Sequence, residues 1–261
     1  MVSGAKPDDL LILSKLVNSI GLFCTPHDEY GTVFLAKVPG VGICMLTAGH
    51  NFEALLNKKP TVQTMKLLSK YTVWFANLDG IFPDDAMNNS ELEKGKPMNL
   101  KKLLERFDFH GSICYDQKRK VFRKTSTGME TSFDIVQDHG DYAAFILNHS
   151  NAEEELAALG LNFLECATGT ALKFGRNNVA TIIGHPGHDS WDTYPTRISY
   201  GKEVGETEDT IKLDYDSLGG NSGSPVFGKG YRIKGIHVAG STNHNSAQKI
   251  NNVEQWINIA R

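Results

Sequence analysis

Residues Gly219-Gly220-Asn221-Ser222-Gly223-Ser224-Pro225-Val226 place a serine between glycines, in a turn that leads into an apolar run. A serine that is to attack a carbonyl must stand clear of its own backbone, and its amide must help hold the oxyanion that forms. Glycine at position 220 lets a second backbone N–H reach the same hole without a side chain in the way. Upstream, the apolar run Met45-Leu46-Thr47-Ala48-Gly49 ends in His50, and Asp141 opens the apolar stretch Tyr142 to Leu147. A hydroxyl nucleophile, an imidazole base and a carboxylate to orient the imidazole form a complete set for acyl transfer. Singly, each has a plain reading: a strand-end histidine, a turn aspartate, a glycine-rich turn. Their coincidence at three strand ends is what carries weight.

The order His50, Asp141, Ser222 is that of the chymotrypsin-type arrangement and differs from the Ser, Asp, His order of the α/β hydrolases. Thr47-Ala48-Gly49-His50 resembles the strand-then-histidine segment of the trypsin-like peptidases. Ile183-Gly184-His185-Pro186-Gly187 resembles the Gly-Tyr-Pro-Gly segment of the glutamyl endopeptidases typified by staphylococcal V8 protease. In Lys234-Gly235-Ile236-His237-Val238-Ala239-Gly240, His237 falls fifteen residues beyond Ser222 (237 − 222 = 15), the interval of the S1 histidine in that group. The resemblance covers roughly residues 17–50 and 131–261. It implies an all-β fold: two six-stranded antiparallel β-barrels with a C-terminal helix and a helical insertion in the first barrel. It also implies an extension over 1–16, a first barrel over 17–150 with an insertion at about 80–125, and a second barrel over 151–261 ending in a helix at 251–261. Ser222 is then the nucleophile, His50 the general base and Asp141 its partner, with the amides of Gly220 and Ser222 forming the oxyanion hole. Asp134 and Asp138 are also close in sequence, but only Asp141 is followed by an apolar strand; His139 reads as a turn residue.

The substrate pocket is ambiguous at this level. Asp216, Ser217, His237, Val238 and Gly240 are its candidate residues. Histidine and serine can hydrogen-bond the end of a Glu or Gln side chain, and viral chymotrypsin-like proteases that cut after these residues carry a similar Gly-Ile-His segment. Asp216, however, sits where trypsin has the aspartate that selects Arg or Lys. With both side chains in the pocket, Asp216 would hold His237 protonated. Cleavage after Glu or Gln, cleavage after Arg or Lys, and a silent binding module on the same fold all stay open.

The rest of the chain frames these expectations. At 261 residues and 40% hydrophobic, with 25 glycines, it suits one double-barrel domain. A net charge of −3 offers no general attraction to nucleic acid or acidic lipid, and no apolar run has membrane-spanning length. The expected partner is a protein or peptide substrate. Lys118-Arg119-Lys120 with Arg123 and Lys124 reads as a solvated hairpin face. Asn99 before Leu100, Leu103, Leu104 and Phe107 signals a capped helix on the rim of the first barrel, and Ala152 to Leu161 a second helix ending at Gly160. Cys24, Cys44, Cys114 and Cys166 have no metal spacing and miss the disulfide positions of secreted trypsins. They read as reduced residues of a cytoplasmic protein, a Cys24–Cys44 bridge being the alternative. His185 and His188 flank Pro-Gly in a loop and make a poor metal pair; no metal or cofactor is expected. Asn221 stands where trypsin has the aspartate that captures a new N-terminus, so the oxyanion loop must be set in some other way.

Overall fold

The computed structural model describes residues 16–27, 29–57, 66–75, 98–126, 128–137, 140–186 and 196–258. The chain forms two antiparallel β assemblies. The first holds β1 (Ile20–Cys24), β2 (Tyr30–Val38), β3 (Gly42–Thr47), β4 (Thr72–Phe75), β5 (Met98–Asn99), β6 (His110–Tyr115), β7 (Lys118–Thr125), β8 (Gly128–Ile135) and β9 (Tyr142–Ile146). These run in the order β5-β4-β1-β2-β3-β9-β6-β7-β8. A short β10 (Leu164–Glu165) adds in parallel to β2, bringing the sheet to ten strands.

The second assembly is a closed six-stranded barrel of β11 (Val179–Gly184), β12 (Arg197–Glu206), β13 (Thr210–Leu213), β14 (Pro225–Phe227), β15 (Ile233–Gly240) and β16 (Asn245–Lys249). Its order is β11-β12-β13-β16-β15-β14. The all-β class is as expected, and the strand count is uneven: six in the second half and ten in the first.

The two-residue period of a strand explains how the halves join. In β2, Val33 and Leu35 enter the core of the first assembly, while Phe34, Ala36 and Val38 enter a second cluster. β3 splits the same way, with Ile43 and Met45 on one face and Cys44 and Leu46 on the other. That second cluster also takes Ile183, Phe227, Ile233 and Ile236 from the barrel, so the two halves share one apolar layer. Burying both faces accounts for strands that read as apolar runs rather than alternating ones.

The stretch expected as an insertion behaves otherwise. Residues 110–125 are β6 and β7, and β6 pairs with β9 from Cys114↔Tyr142 to His110↔Ile146. The helix over Leu100–Arg106, α2 after a short α1 at Glu53–Leu56, is capped by Asn99, whose Oδ1 accepts from the Lys102 amide at 3.2 Å. Leu100, Leu103, Leu104 and Phe107 lie in the first core rather than on its rim.

Lys120 departs from the solvated-face reading. It is fully buried, and its ammonium donates to the Leu55 carbonyl at 2.7 Å at the end of α1; burial lowers its pKa to about 8. Arg119 reaches only toward Asp134, at 3.9 Å. The other helices are α3 (Ala152–Ala158), followed by Gly160 at φ 77°, and α4 (Val253–Asn258). None of the four cysteines forms a disulfide, and Cys24 and Cys44 lie on β1 and β3, separated by β2. Residues 1–15 of the expected extension, residues 80–97 of the expected insertion, Asp138, His139, Gly187 and His188 lie outside the described residues.

Candidate active site

β3 delivers Thr47 to the edge of the first assembly, and a 3-10 turn over Gly49–Phe52 presents His50. Glycine at 49 is required by packing: a Cβ there would lie 2.0 Å from the Cys114 carbonyl and 2.8 Å from the backbone of Tyr142. Asp141, just before β9, meets His50 twice. Its Oδ2 lies 2.7 Å from Nδ1, and its Oδ1 accepts the His50 amide at 2.9 Å. The pair is partly shielded, with side chains 25% and 16% exposed. Burial works to lower the His50 pKa; the Asp141 hydrogen bond and the charges of Asp141, Glu53 and Glu29 outweigh it and raise the value above 6.5.

Asp141 is held in turn by the second barrel. Its amide donates to Gln248 Oε1 at 3.2 Å, and Trp256 of α4 stacks on Tyr142, the next residue, with centroids 3.7 Å apart and planes at 5°.

The serine turn rises between β13 and β14 and is tied across to the first assembly. The Ser222 carbonyl accepts from the Thr32 amide at 2.7 Å and from Asn51 Nδ2 at 3.2 Å. Asn51 Nδ2 also donates to Thr47 Oγ1 at 2.8 Å, so residues on either side of His50 hold the serine loop. Gly223 sits at φ 92°, where a Cβ would come within 2.1 Å of the Thr32 carbonyl and Thr47 Oγ1; no other residue fits. Among the described residues no hydrogen bond joins Ser222 Oγ to His50; the two are linked through Asn51.

A cleft of about 780 Å³ opens beside Ser222 and is lined by Asp216, Ser217, His237 and Gly240. Val238 is not part of the lining; a β-bulge between His237 and Ala239 takes it out of register. His237 is 3% exposed, and its Nδ1 lies 2.8 Å from the Tyr215 hydroxyl. Burial, followed by repulsion from His50, lowers its pKa to about 4, so the ring is neutral at pH 7. Burial also raises the Tyr215 phenol well above its usual value. Asp216 is exposed on the cleft wall and is no part of what shifts His237. The sequence-based idea of an Asp216-protonated histidine therefore gives way to a phenol-bonded neutral one. Ser217 Oγ donates to Asn245 Oδ1, and Asn245 Nδ2 to the Tyr215 carbonyl, which braces the same wall.

Thr32, Asn51, Gln248, Tyr215 and Asn245 were not singled out from sequence. Each acts through a partner far away in the chain, and no local motif marks it. Among the described residues no cluster of His, Cys, Asp or Glu is placed to hold a metal. His185 is buried, with its amide bonded to Thr32.

Comparison with solved structures superposes nearly the whole chain on a Glu endopeptidase (TM-score 0.53, 18% identity, 94% of this chain and 90% of that one). Deg5 superposes equally well (TM-score 0.53, 14% identity, 97% and 95%). So does the inactive form of Rv3671c from M. tuberculosis H37Rv (TM-score 0.51, 12% identity, 100% and 97%). The fold is that of the trypsin-like serine proteases. In sequence, the glutamyl endopeptidase of Staphylococcus epidermidis is 38% identical over 83 residues, 31% of this chain and 29% of that protein. The match thus spans under a third of the relative's length. No family model matches the chain.

Proposed function

We propose that this chain is a serine endopeptidase in which His50, Asp141 and Ser222 form the catalytic triad and Gly220 and Ser222 the oxyanion hole. The observation that carries the reading is the pair of hydrogen bonds that Asp141 accepts from His50, with the His50 turn bonded to the Ser222 carbonyl. Ser222 Oγ attacks the scissile carbonyl while His50 Nε2 takes its proton and later delivers it to the leaving amine. Asp141 fixes the tautomer by accepting at Nδ1 and stabilises the imidazolium. Each amide aimed at the oxyanion is worth about 10²–10³ in rate.

For the residue preceding the cut we propose Glu or Gln. The Tyr215 phenol keeps its proton and can donate to His237 Nδ1, which leaves Nε2–H to donate to a side-chain carbonyl oxygen in the cleft. A neutral ring beside the exposed Asp216 suits the uncharged amide of Gln best at neutral pH. The name of the staphylococcal relative points to Glu. A second reading, cleavage after Arg or Lys, has one observation in its favour: Asp216 lines the cleft.

A peptide library scanned at the residue before the cut, digested by wild type and by Ser222→Ala, separates these readings. The proposal expects cutting by wild type alone, after Gln or Glu. Cutting after Arg or Lys assigns the pocket to Asp216, and cutting by neither protein points to a binding module.

A further inference from the structure

Asn221, next to the nucleophile, has no charge with which to lock its loop by an ion pair. It is 6% exposed, and the loop it sits in is nevertheless pinned one peptide plane after another. The Gly220 carbonyl accepts from Thr32 Oγ1 at 2.9 Å. The Asn221 carbonyl accepts the Ser224 amide at 2.9 Å, and the Ser222 carbonyl accepts the Thr32 amide at 2.7 Å. In a trans peptide the N–H points opposite to the C=O. Tying the Asn221 oxygen to Ser224 therefore turns the Ser222 N–H the other way. Tying the Gly220 oxygen to Thr32 holds the Gly220–Asn221 plane, which lies between the planes that carry the Gly220 and Ser222 N–H groups; Gly220 itself stands at φ 90°.

Two of those three planes end on Thr32, a fully buried residue of β2 in the other β assembly. Its polar groups are all committed. Besides the two bonds above, Oγ1 accepts the His185 amide at 3.0 Å, and the Thr32 carbonyl accepts Thr47 Oγ1 at 2.6 Å. The hydroxyl thus donates to one segment of the second barrel and accepts from another, and only a hydroxyl side chain of this size can do both. Thr47 lies three residues before His50, so one residue joins the histidine turn, the serine turn and the start of the His185 loop.

We infer that Thr32 is a positioning residue for the oxyanion loop: its hydroxyl holds the Gly220 carbonyl so that the Gly220 and Ser222 amides face the cleft without any activating cleavage or ion pair. This rests on the peptidase reading above. Loss of the hydroxyl frees the Gly220–Asn221 peptide plane, which joins the two planes that carry the Gly220 and Ser222 N–H groups, and the loop can then turn these amides out of the hole. Thr32 is fully buried and does not line the cleft. Its removal must therefore be felt in the transition state rather than in binding.

The test compares Thr32→Val, which keeps the shape and drops the hydroxyl, with Thr32→Ser, which keeps the hydroxyl. For each, kcat and KM are measured on the best library peptide. Affinity is measured for the corresponding peptide aldehyde, whose hemiacetal oxygen enters the hole, and for the peptide alcohol, which has no carbonyl. Thr32→Val is expected to lose about 10–100-fold in kcat, less than the roughly 10²–10³ that deleting an oxyanion donor outright costs. KM and alcohol affinity should stay within about twofold, and aldehyde affinity should fall in step with kcat. Thr32→Ser should return kcat to within about threefold of wild type. A lowered melting temperature with unchanged kcat in Thr32→Val would overturn the assignment and leave Thr32 a purely structural residue. So would parallel loss of aldehyde and alcohol binding, or a Thr32→Ser as slow as Thr32→Val. If Thr32→Val does not fold, Thr32→Ala takes its place in the comparison with Thr32→Ser. A wild type that cleaves no peptide sinks the peptidase reading and this inference together. A wild type matched by Thr32→Val sinks this inference alone.

Discussion

Each β assembly brings a histidine up to Ser222, His50 from the first and His237 from the second, and these two are driven in opposite directions. His50, on a turn of the first assembly, keeps a quarter of its side chain exposed and rests on a carboxylate, which raises its pKa. His237, inside β15 of the second, is buried against a phenol, and its pKa falls to about 4. The same side chain has its protonated form favoured in one place and is a buried neutral hydrogen-bonding group in the other. The surroundings assign the roles.

The cores differ in the same sense. The first assembly is filled largely by aliphatic and phenylalanine side chains, whereas the small interior of the barrel carries Tyr215 beside His237. The barrel also buries an ion pair, Lys234–Glu203, with side chains 5% and 1% exposed. The first half presents the His50–Asp141 pair. The second is a barrel with a mainly aliphatic interior, in which the Tyr215–His237 bond braces the cleft wall.

The sharpest way to break this contrast is to remove the charge that sets His50 apart. Asp141→Asn should cut kcat by about 10⁴-fold through loss of the correct tautomer. The sign of the pH effect follows from the causes of the shift. In wild type, kcat/KM should rise with pH through an ionisation above 6.5, because Asp141 favours the protonated ring. Without that carboxylate, burial dominates and the midpoint should move down. A midpoint that does not move would mean that Asp141 does not set the base.

Next in size is the barrel's buried pair. Lys234→Met leaves Glu203 without its cation, though Gly175 N and Asn178 Nδ2 still donate to it, at 2.9 and 3.3 Å. Denaturant unfolding should show a loss of about 3–5 kcal/mol. An unchanged midpoint would show that the pair contributes nothing to the barrel.

Smaller still is Tyr215→Phe, which takes one hydrogen bond from His237. It should cost about tenfold in kcat/KM for the preferred residue before the cut and leave disfavoured residues nearly unaffected. Equal losses on all substrates would detach Tyr215 from specificity.

The depressed His237 pKa also acts on stability. The unfolded chain takes up a proton on this side chain below about 6.5, while the folded one resists until about 4, so stability should fall as pH drops through that window. In His237→Gln that contribution should disappear from a series of melting curves.

What could be read from the chain was whatever is local. His50, Asp141 and Ser222 each sit at a strand end beside glycine or an apolar run, and Asn99 announces α2 by its own side chain. The serine turn shows itself because Gly223 has no room for a Cβ. What escaped depends on which strands pair. Residues 110–125 read from sequence as the end of the insertion at about 80–125; the pairing of β6 with β9, which places them in the sheet next to Asp141, has no local signal. Lys120 reads as one of five basic residues on a hairpin, and only the docking of α1 above β7 explains why its ammonium turns inward. Tyr215 and Thr32 lie 22 and 188 residues from the partners that give them meaning. Asn51 carries no local signal; in the fold its side-chain amide bonds the His50 turn to the Ser222 turn.

The central claim is that the two assemblies together make Ser222 a nucleophile. Reaction of the whole chain with a fluorophosphonate, followed by peptide mass mapping, tests this without knowledge of the substrate. The account predicts stoichiometric phosphonylation at Ser222, greatly slowed in His50→Ala and absent in Ser222→Ala. A wild type left unlabelled, or labelled equally well without His50, would contradict it.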